Sequence, residues 1–376
     1  MTRTLRLTLI AAGLLAILFA VHVQLNLGGW PRMIARMSGK QEVRGELVVG
    51  FLPVTCHLTC PVTSWVTARS ERGSVFRSKK YTEFATIAEE FKHGKLKASF
   101  ILAPLAMTLR RQGLPIKIVH LGHRDGTTLM VRKDSDIYSF EDLRGKTIAI
   151  PHNYSNQRIL LAREMEKRHM GPDDLKMVVF PPPEHPSALQ KGVVDAYIIG
   201  EPFAAKAEVE GFGRVLLFTK DVWPNFISCV LAVHEDLIRD DPALVQELVN
   251  GIAASGQWID APGEDLAAGV RREEDGATAN PDEAVLPKGW DSGHRSQAAA
   301  IAARPEYYNQ SADLIRFVLS KPPDRVRYTD LVPARKDFEE IQRYAEKLGY
   351  FKPSSADDPF GFDDYCDPSF VAATKR

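Results

Sequence analysis

Gly94-Lys-Leu-Lys-Ala98-Ser-Phe-Ile-Leu-Ala-Pro104 and Gly192-Val-Val-Asp-Ala196-Tyr-Ile-Ile-Gly-Glu-Pro202 follow one pattern. In both, the glycine stands four residues before an alanine and ten before a proline. A glycine closing a helix, a tight turn, a small residue, an apolar run and a proline describe one helix–turn–strand unit. The proline leaves the strand at its carboxyl end. Two such units in one chain predict two α/β lobes of like build. Ligands of open α/β sheets sit outside the carboxyl ends of the strands. The two proline-terminated loops are therefore expected to face one cleft.

Around these units the sequence alternates strands with helices, which implies mostly parallel sheets. Apolar runs predict strands over 46–53, 98–102, 116–121, 127–131, 147–150, 176–180, 196–200, 215–218 and 226–233. Phe84, Ile87, Ala88 and Phe91 recur at helical spacing. Leu244, Val245, Leu248, Ile252 and Trp258 give one apolar face over 242–260. Further helices are expected from Asn156 to about 169, over 312–319 and over 337–348. The stretch from Pro53 to Lys80 reads as polar and turn-rich, and 261–295 as an exposed insertion. The run 226–233 returns the chain to the first lobe. The expected division is 46–132 with 224–352 as lobe one, 133–223 as lobe two, and 353–376 as a tail wrapping the surface. A chain of 376 residues is long enough for two such cores.

Ahead of the lobes stands an export signal. Arg3 and Arg6 precede residues 7–21, which carry no charge or strongly polar group. A good small-residue cleavage site is missing after this run. Residues 7–30 are long enough to span ~30 Å of hydrocarbon, with Trp30 suited to the interface. Residues 1–30 thus read as a signal or membrane anchor and 31–45 as a linker, with the body on the periplasmic side of a bacterial inner membrane. The charge balance, 48 basic against 48 acidic residues, offers no basic excess for nucleic acid. Four cysteines in so long a chain exclude a disulfide scaffold.

Several motifs then occur in a telling order. They are Val49-Gly50-Phe51-Leu52-Pro53, Leu102-Ala103-Pro104-Leu105-Ala106-Met107 and Asp142-Leu143-Arg144-Gly145-Lys146-Thr147-Ile148-Ala149. Pro151-His152-Asn153-Tyr154-Ser155, Val179-Phe180-Pro181-Pro182-Pro183 and Asp195-Ala196-Tyr197-Ile198-Ile199-Gly200-Glu201-Pro202-Phe203 follow. Later come Pro305-Glu306-Tyr307-Tyr308-Asn309, Pro322-Pro323-Asp324-Arg325-Val326-Arg327-Tyr328 and Asp367-Pro368-Ser369-Phe370. Over residues 46–371 the chain resembles the nitrate/sulfonate/taurine-type substrate-binding proteins of ABC transporters, and within them the nitrate/bicarbonate branch. The resemblance implies a hinged, two-lobed periplasmic-binding-protein fold of type II, shared with thiamine-precursor proteins, that closes on a small solute. An ABC permease and ATPase are the implied partners. Thr55-Cys56-His57-Leu58-Thr59-Cys60-Pro61 departs from that branch where its ligand loop begins. Small or acidic residues are ordinary there, so nitrate or bicarbonate as ligand is put in doubt.

Candidate site residues come from three places. Cys56, His57 and Cys60 lie on one short stretch at a strand end, with Thr55 beside them. Thiolate and imidazole suit zinc, copper or iron, and Cys229 offers a third sulfur. A Cys56–Cys60 disulfide and plain burial are the alternatives. Asn153, Ser155, Asn156 and Gln157 open a helix whose free N–H groups suit an anion or carbonyl, with N-capping as the plainer role. Ala103, Pro104 and Glu201 stand at the carboxyl ends of the two repeat strands. Glu201 suits a cation or a ligand amine, or a salt bridge at the hinge.

No nucleophile–base or phosphate-loop motif is present. The expectation is therefore a solute-binding protein and not an enzyme, with a metal ion as the one cofactor the residues suggest. Two alternatives differ in class: an exported or membrane-attached enzyme using a cysteine-cluster metal on the same fold, and a ligand-sensing module.

Overall fold

The structure, a computed structural model, describes residues 47–70, 73, 76–273 and 282–374, with Gly13 and Ala20. Apart from those two residues, the expected export segment and linker lie outside the described residues. Among the described residues no helix is long and apolar enough to cross a membrane. The described residues 47–70, 76–273 and 282–374 belong to one compact unit, to which all that follows refers.

The strands of that unit are β1 Val48–Phe51, β2 Arg77–Lys80, β3 Ala98–Leu102, β4 Ile116–Leu121, β5 Arg124–Asp125, β6 Thr127–Arg132, β7 Thr147–Ile150, β8 Lys176–Val179, β9 Ala196–Gly200, β10 Gly213–Phe218 and β11 Cys229–His234. They build two five-stranded sheets, ordered β2-β1-β3-β11-β4 and β10-β6-β9-β7-β8. In the first, β2, β1 and β3 run parallel, and β11 is antiparallel to both β3 and β4. In the second, β8, β7 and β9 run parallel, and β6 is antiparallel to both β9 and β10. The sheets are thus the same arrangement built twice, and the repeated strands β3 and β9 occupy equivalent places. Both are buried along their whole length, as an apolar run flanked by strands on both sides should be.

Each sheet takes its antiparallel strand from chain that has just left the other. β6 enters the second sheet directly after β4 of the first, and β11 enters the first after β10 of the second. The two crossings lie side by side. Arg124 bridges Ile227 in antiparallel fashion, and the Asp125 N–H donates to Phe226 O at 2.8 Å. β5 also pairs with Val326–Arg327. This exchange moves one expected boundary: residues 127–132, assigned to lobe one from the sequence, are a strand of the second sheet.

Other elements depart from expectation for identifiable reasons. The described part of residues 54–80 is not a turn-rich stretch. They hold a short 3-10 turn, Thr55–His57, the α-helix Thr59–Ala68 and strand β2. The helix is rich in β-branched residues of low propensity. Pro61 fits because it sits in the first turn, where its missing N–H is harmless. Thr63 and Thr67 return their hydroxyls to the carbonyls of Thr59 and Thr63, each at 2.7 Å. The helix exists because its first seven residues are all buried. The Ala-rich helix His294–Ala303 went unread for the same reason, since apolar side chains surround it without periodicity. Within 261–295, Val270–Arg272 pairs with Ala284–Leu286, and Val270, Ala284 and Leu286 are core residues. Nor does the tail only wrap the surface. Phe360, Tyr365, Cys366 and Phe370 are buried, and Asp367 N–H donates to Ile118 O of β4 at 2.8 Å.

Candidate functional site

The loop after β1 is fixed from several sides. Tyr308 Oη donates to Val54 O at 2.6 Å and Tyr328 Oη to Thr55 O at 2.9 Å. The Thr55 N–H donates to Glu201 O at 2.6 Å, which ties this loop of the first sheet to the end of β9 in the second. His123 Nε2 and Thr55 Oγ1 meet at 3.1 Å. Burial pushes His123 down to about 3, so the ring is uncharged at neutral pH. Gly122 passes so close to the carbonyls of Cys56 and Cys229 that no side chain fits there.

This framework delivers Cys56 against Cys229, the first residue of β11. Their sulfurs are 2.9 Å apart, with the Cys56 thiol donating. All four cysteines of the chain are free thiols. A ring nitrogen of His57 and the two sulfurs lie within 4.8 Å of one another, all fully buried. Burial raises the Cys229 thiol, but the Cys56 thiol, the His57 ring and the Ser228 hydroxyl act the other way and bring it down to about 6. Burial and the neighbouring Cys229 push Cys56 upward. Within the pair the Cys56 thiol is the donor and the Cys229 sulfur the acceptor.

The Leu52 N–H donates to His57 Nδ1 at 2.7 Å. A backbone amide is always the donor, so Nδ1 must accept and the ring proton sits on Nε2. Nε2 is buried without a hydrogen-bond partner. Metal-bound histidines commonly donate from their second nitrogen to a carbonyl or carboxylate. His57 has the reverse arrangement, which suits it to donate toward sulfur and not to ligate metal. Cys60 is buried too, but its sulfur stands outside the group. Of the expected Cys56, His57 and Cys60, the first two stand together with Cys229, while Cys60 lies apart from them.

Beside the sulfurs lies a small cavity of ≈ 10 Å³ lined by buried residues, about the room that one water-sized sphere takes. Leu102 and Gly200, the last residues of the two repeat strands, both line it, as do Pro151 and Gln157. The strand ends converge as expected. The prolines of the repeat are not in the lining: Ala103 and Pro104 begin the helix Ala103–Arg111 behind it. Gln157 Nε2 donates to Ser228 Oγ at 3.0 Å, while Oε1 is buried and unpaired. Asn156 Nδ2 bonds Ile227 O and leaves its own Oδ1 unpaired. Both residues stand on the helix Asn156–Lys167 and reach chain beside β11, so they join the two sheets.

Three expected contacts fall elsewhere. Ser155 caps the helix, its Oγ accepting the Arg158 N–H at 3.2 Å. Asn153 is exposed and faces a different, surface cavity. Glu201 is engaged in the fold: Oε1 accepts from Thr128 Oγ1 at 2.8 Å and Arg325 Nε at 2.7 Å, and Oε2 accepts the Ala205 N–H at 2.8 Å. His123, Ser228, Gly122, Tyr308, Tyr328 and Arg325 were not read as site residues. Only the last three lay in quoted motifs, Tyr308 in Pro305–Asn309 and the others in Pro322–Tyr328.

Against known proteins, the description of the NMT1-like family matches residues 40–269. The nitrate import ATP-binding protein NrtC of Synechocystis is 25% identical over 254 residues, covering 62% of this chain and 38% of its own length. The chain therefore spans well under half of that relative. Among solved structures, the ligand-binding component of an ABC-type import system from Staphylococcus aureus, with zinc bound, superposes at TM-score 0.71 and 21% identity over 89% of this chain and 100% of its own. The periplasmic nitrate-binding protein NrtA of Synechocystis superposes at TM-score 0.70 and 14% identity over 88% of each chain. At these identities the structural likeness establishes a shared fold.

Proposed function

Because the chain belongs to the NMT1-like family, we propose that it is an extracytoplasmic solute-binding protein that hands a small molecule to the permease and ATPase of an ABC importer. One observation carries this reading: two sheets of like build point the carboxyl ends of β3 and β9 into one small cavity. The residues that line this cavity are all buried, so the lobes must part for a solute to reach it. The side-by-side crossings at Arg124–Asp125 and Phe226–Ile227 form the hinge, since a few residues between two packed bodies can absorb the rotation. The lobes are then the two sheets with their helices, the second beginning at β6. Residues 1–30 export the protein and hold it at the periplasmic face of the inner membrane.

The relatives named for import support this role and leave the solute open. The test is small-angle scattering of the full chain in detergent, with and without candidate solutes, alongside calorimetric titration. Saturable binding with a smaller radius of gyration is expected. Conversion of any bound compound into product would instead favour an enzyme on this fold. Protease protection of the whole body in spheroplasts would sink the export claim.

A further inference from the structure

The lining of this cavity is Val54, Phe84, Leu102, Pro151, Ile199 and Gly200, with four polar or sulfur residues, Cys56, Cys229, Ser228 and Gln157. No Lys or Arg is among them. A nitrate or sulfonate held there would be a buried anion without a countercharge, which is strongly unfavourable. It would also be too large for a space of ≈ 10 Å³. What fits is a single atom that prefers sulfur.

We propose that this cavity binds one soft monovalent metal cation, cuprous copper, ligated by the sulfurs of Cys56 and Cys229 with the Gln157 amide oxygen as a third, weaker donor. The inference rests on the solute-binding reading of the same cavity and names the class of its cargo. Three observations support it independently of family. The two sulfurs come from parts of the chain 173 positions apart, the loop after β1 and the start of β11, and meet at 2.9 Å among buried residues. Gln157 Oε1 is buried at that pocket without a hydrogen-bond partner, which is costly unless a ligand engages it. His57 is barred from the ligand set by the Leu52 N–H on Nδ1. Two sulfurs and one amide oxygen fall short of the four ligands that zinc takes in closed sites. Low-coordinate cuprous copper is satisfied by thiolates. Two sulfurs on one ion stand farther apart than 2.9 Å, so one side chain rotates on loading.

The experiment titrates the reduced full chain with cuprous ion against bicinchoninate as competitor. One equivalent is expected to bind, with affinity falling about 100-fold or more in Cys56→Ala with Cys229→Ala and unchanged in Cys366→Ala. Because the double variant may not fold, copper-edge X-ray absorption of the unaltered loaded protein serves as the second measurement. Two sulfur scatterers are expected. A first shell of nitrogen and oxygen alone, or equal copper binding by the folded double variant, overturns the proposal. So does protein isolated without reductant that yields two free thiols on denaturation instead of four. Titration with nitrate and taurine separates the two readings. If either binds and copper does not, the metal assignment fails and the solute-binding reading stands. If nothing binds, both fail.

Discussion

Arg325 Nε and Glu201 Oε1 meet at 2.7 Å, with both side chains shut off from solvent. Arg325 also reaches Glu208 at 3.1 Å and donates to Lys321 O at 2.9 Å, so its charge is met on several sides. The pair joins the end of β9 to chain that follows the helix Ala312–Ser320. Removing one partner leaves the other charge buried and uncompensated. Arg325→Met should therefore cost about 3–5 kcal/mol in urea denaturation. A loss below ~1 kcal/mol would mean that water reaches Glu201.

Tyr308→Phe and Tyr328→Phe test the loop after β1. Each removes one hydroxyl from a buried carbonyl, of Val54 or Thr55, and leaves ring packing intact. Each should destabilise by ~1–3 kcal/mol, the cost of an unsatisfied buried acceptor. Copper or solute affinity should weaken in parallel, because the same loop carries Cys56. Unchanged affinity in both variants would show that the loop holds its place without them.

Gly122→Ala should be among the most damaging single-methyl changes in the protein. Its Cβ would collide with the Cys56 carbonyl and press on the Cys229 carbonyl. Backbone cannot step aside as a flexible side chain does, so ~1–3 kcal/mol or more is expected, with displaced sulfurs. Thermal melting and the copper titration read the two effects. A variant with wild-type behaviour in both would refute the close approach.

Acid should weaken the fold before the carboxylates titrate. Burial pushes His120 and His185 down to about 4 and His123 to about 3. The unfolded chain takes up these protons near pH 6.5, while the folded one does so only near 3 to 4. The unfolded state thus binds more protons in that window, and stability falls as pH falls through it. Each ring contributes on the order of 1.4 kcal/mol per pH unit. Urea midpoints at pH 7, 6 and 5 should drop steadily, and His185→Gln should flatten the slope. A pH-independent midpoint over this range would contradict neutral buried rings.

The sequence alone determined the repeated strand unit, because β3 and β9 are buried by neighbours on both sides and are therefore mostly apolar. It also determined the alternation of strands and helices and the sulfur-bearing loop after β1. It was silent on the helix Thr59–Ala68, whose residues are helical only because surrounding chain buries them. It misplaced β6, since a short strand with Leu129, Met130 and Val131 at its centre does not state which sheet will accept it. The site divides in the same way. Cys56 and His57 stood out by local spacing, and Cys60 stood out for the same reason without joining them. Cys229 became the partner of Cys56 because β11 returns antiparallel beside β3, a contact across 173 positions that no local pattern encodes. The role of His57 depended on one backbone N–H, that of Leu52. Glu201 was claimed by Arg325 from 124 positions away. Spacing along the chain sets which side chains are available, but hydrogen bonds and charges are satisfied in three dimensions, and only there was it decided which groups remain free to bind.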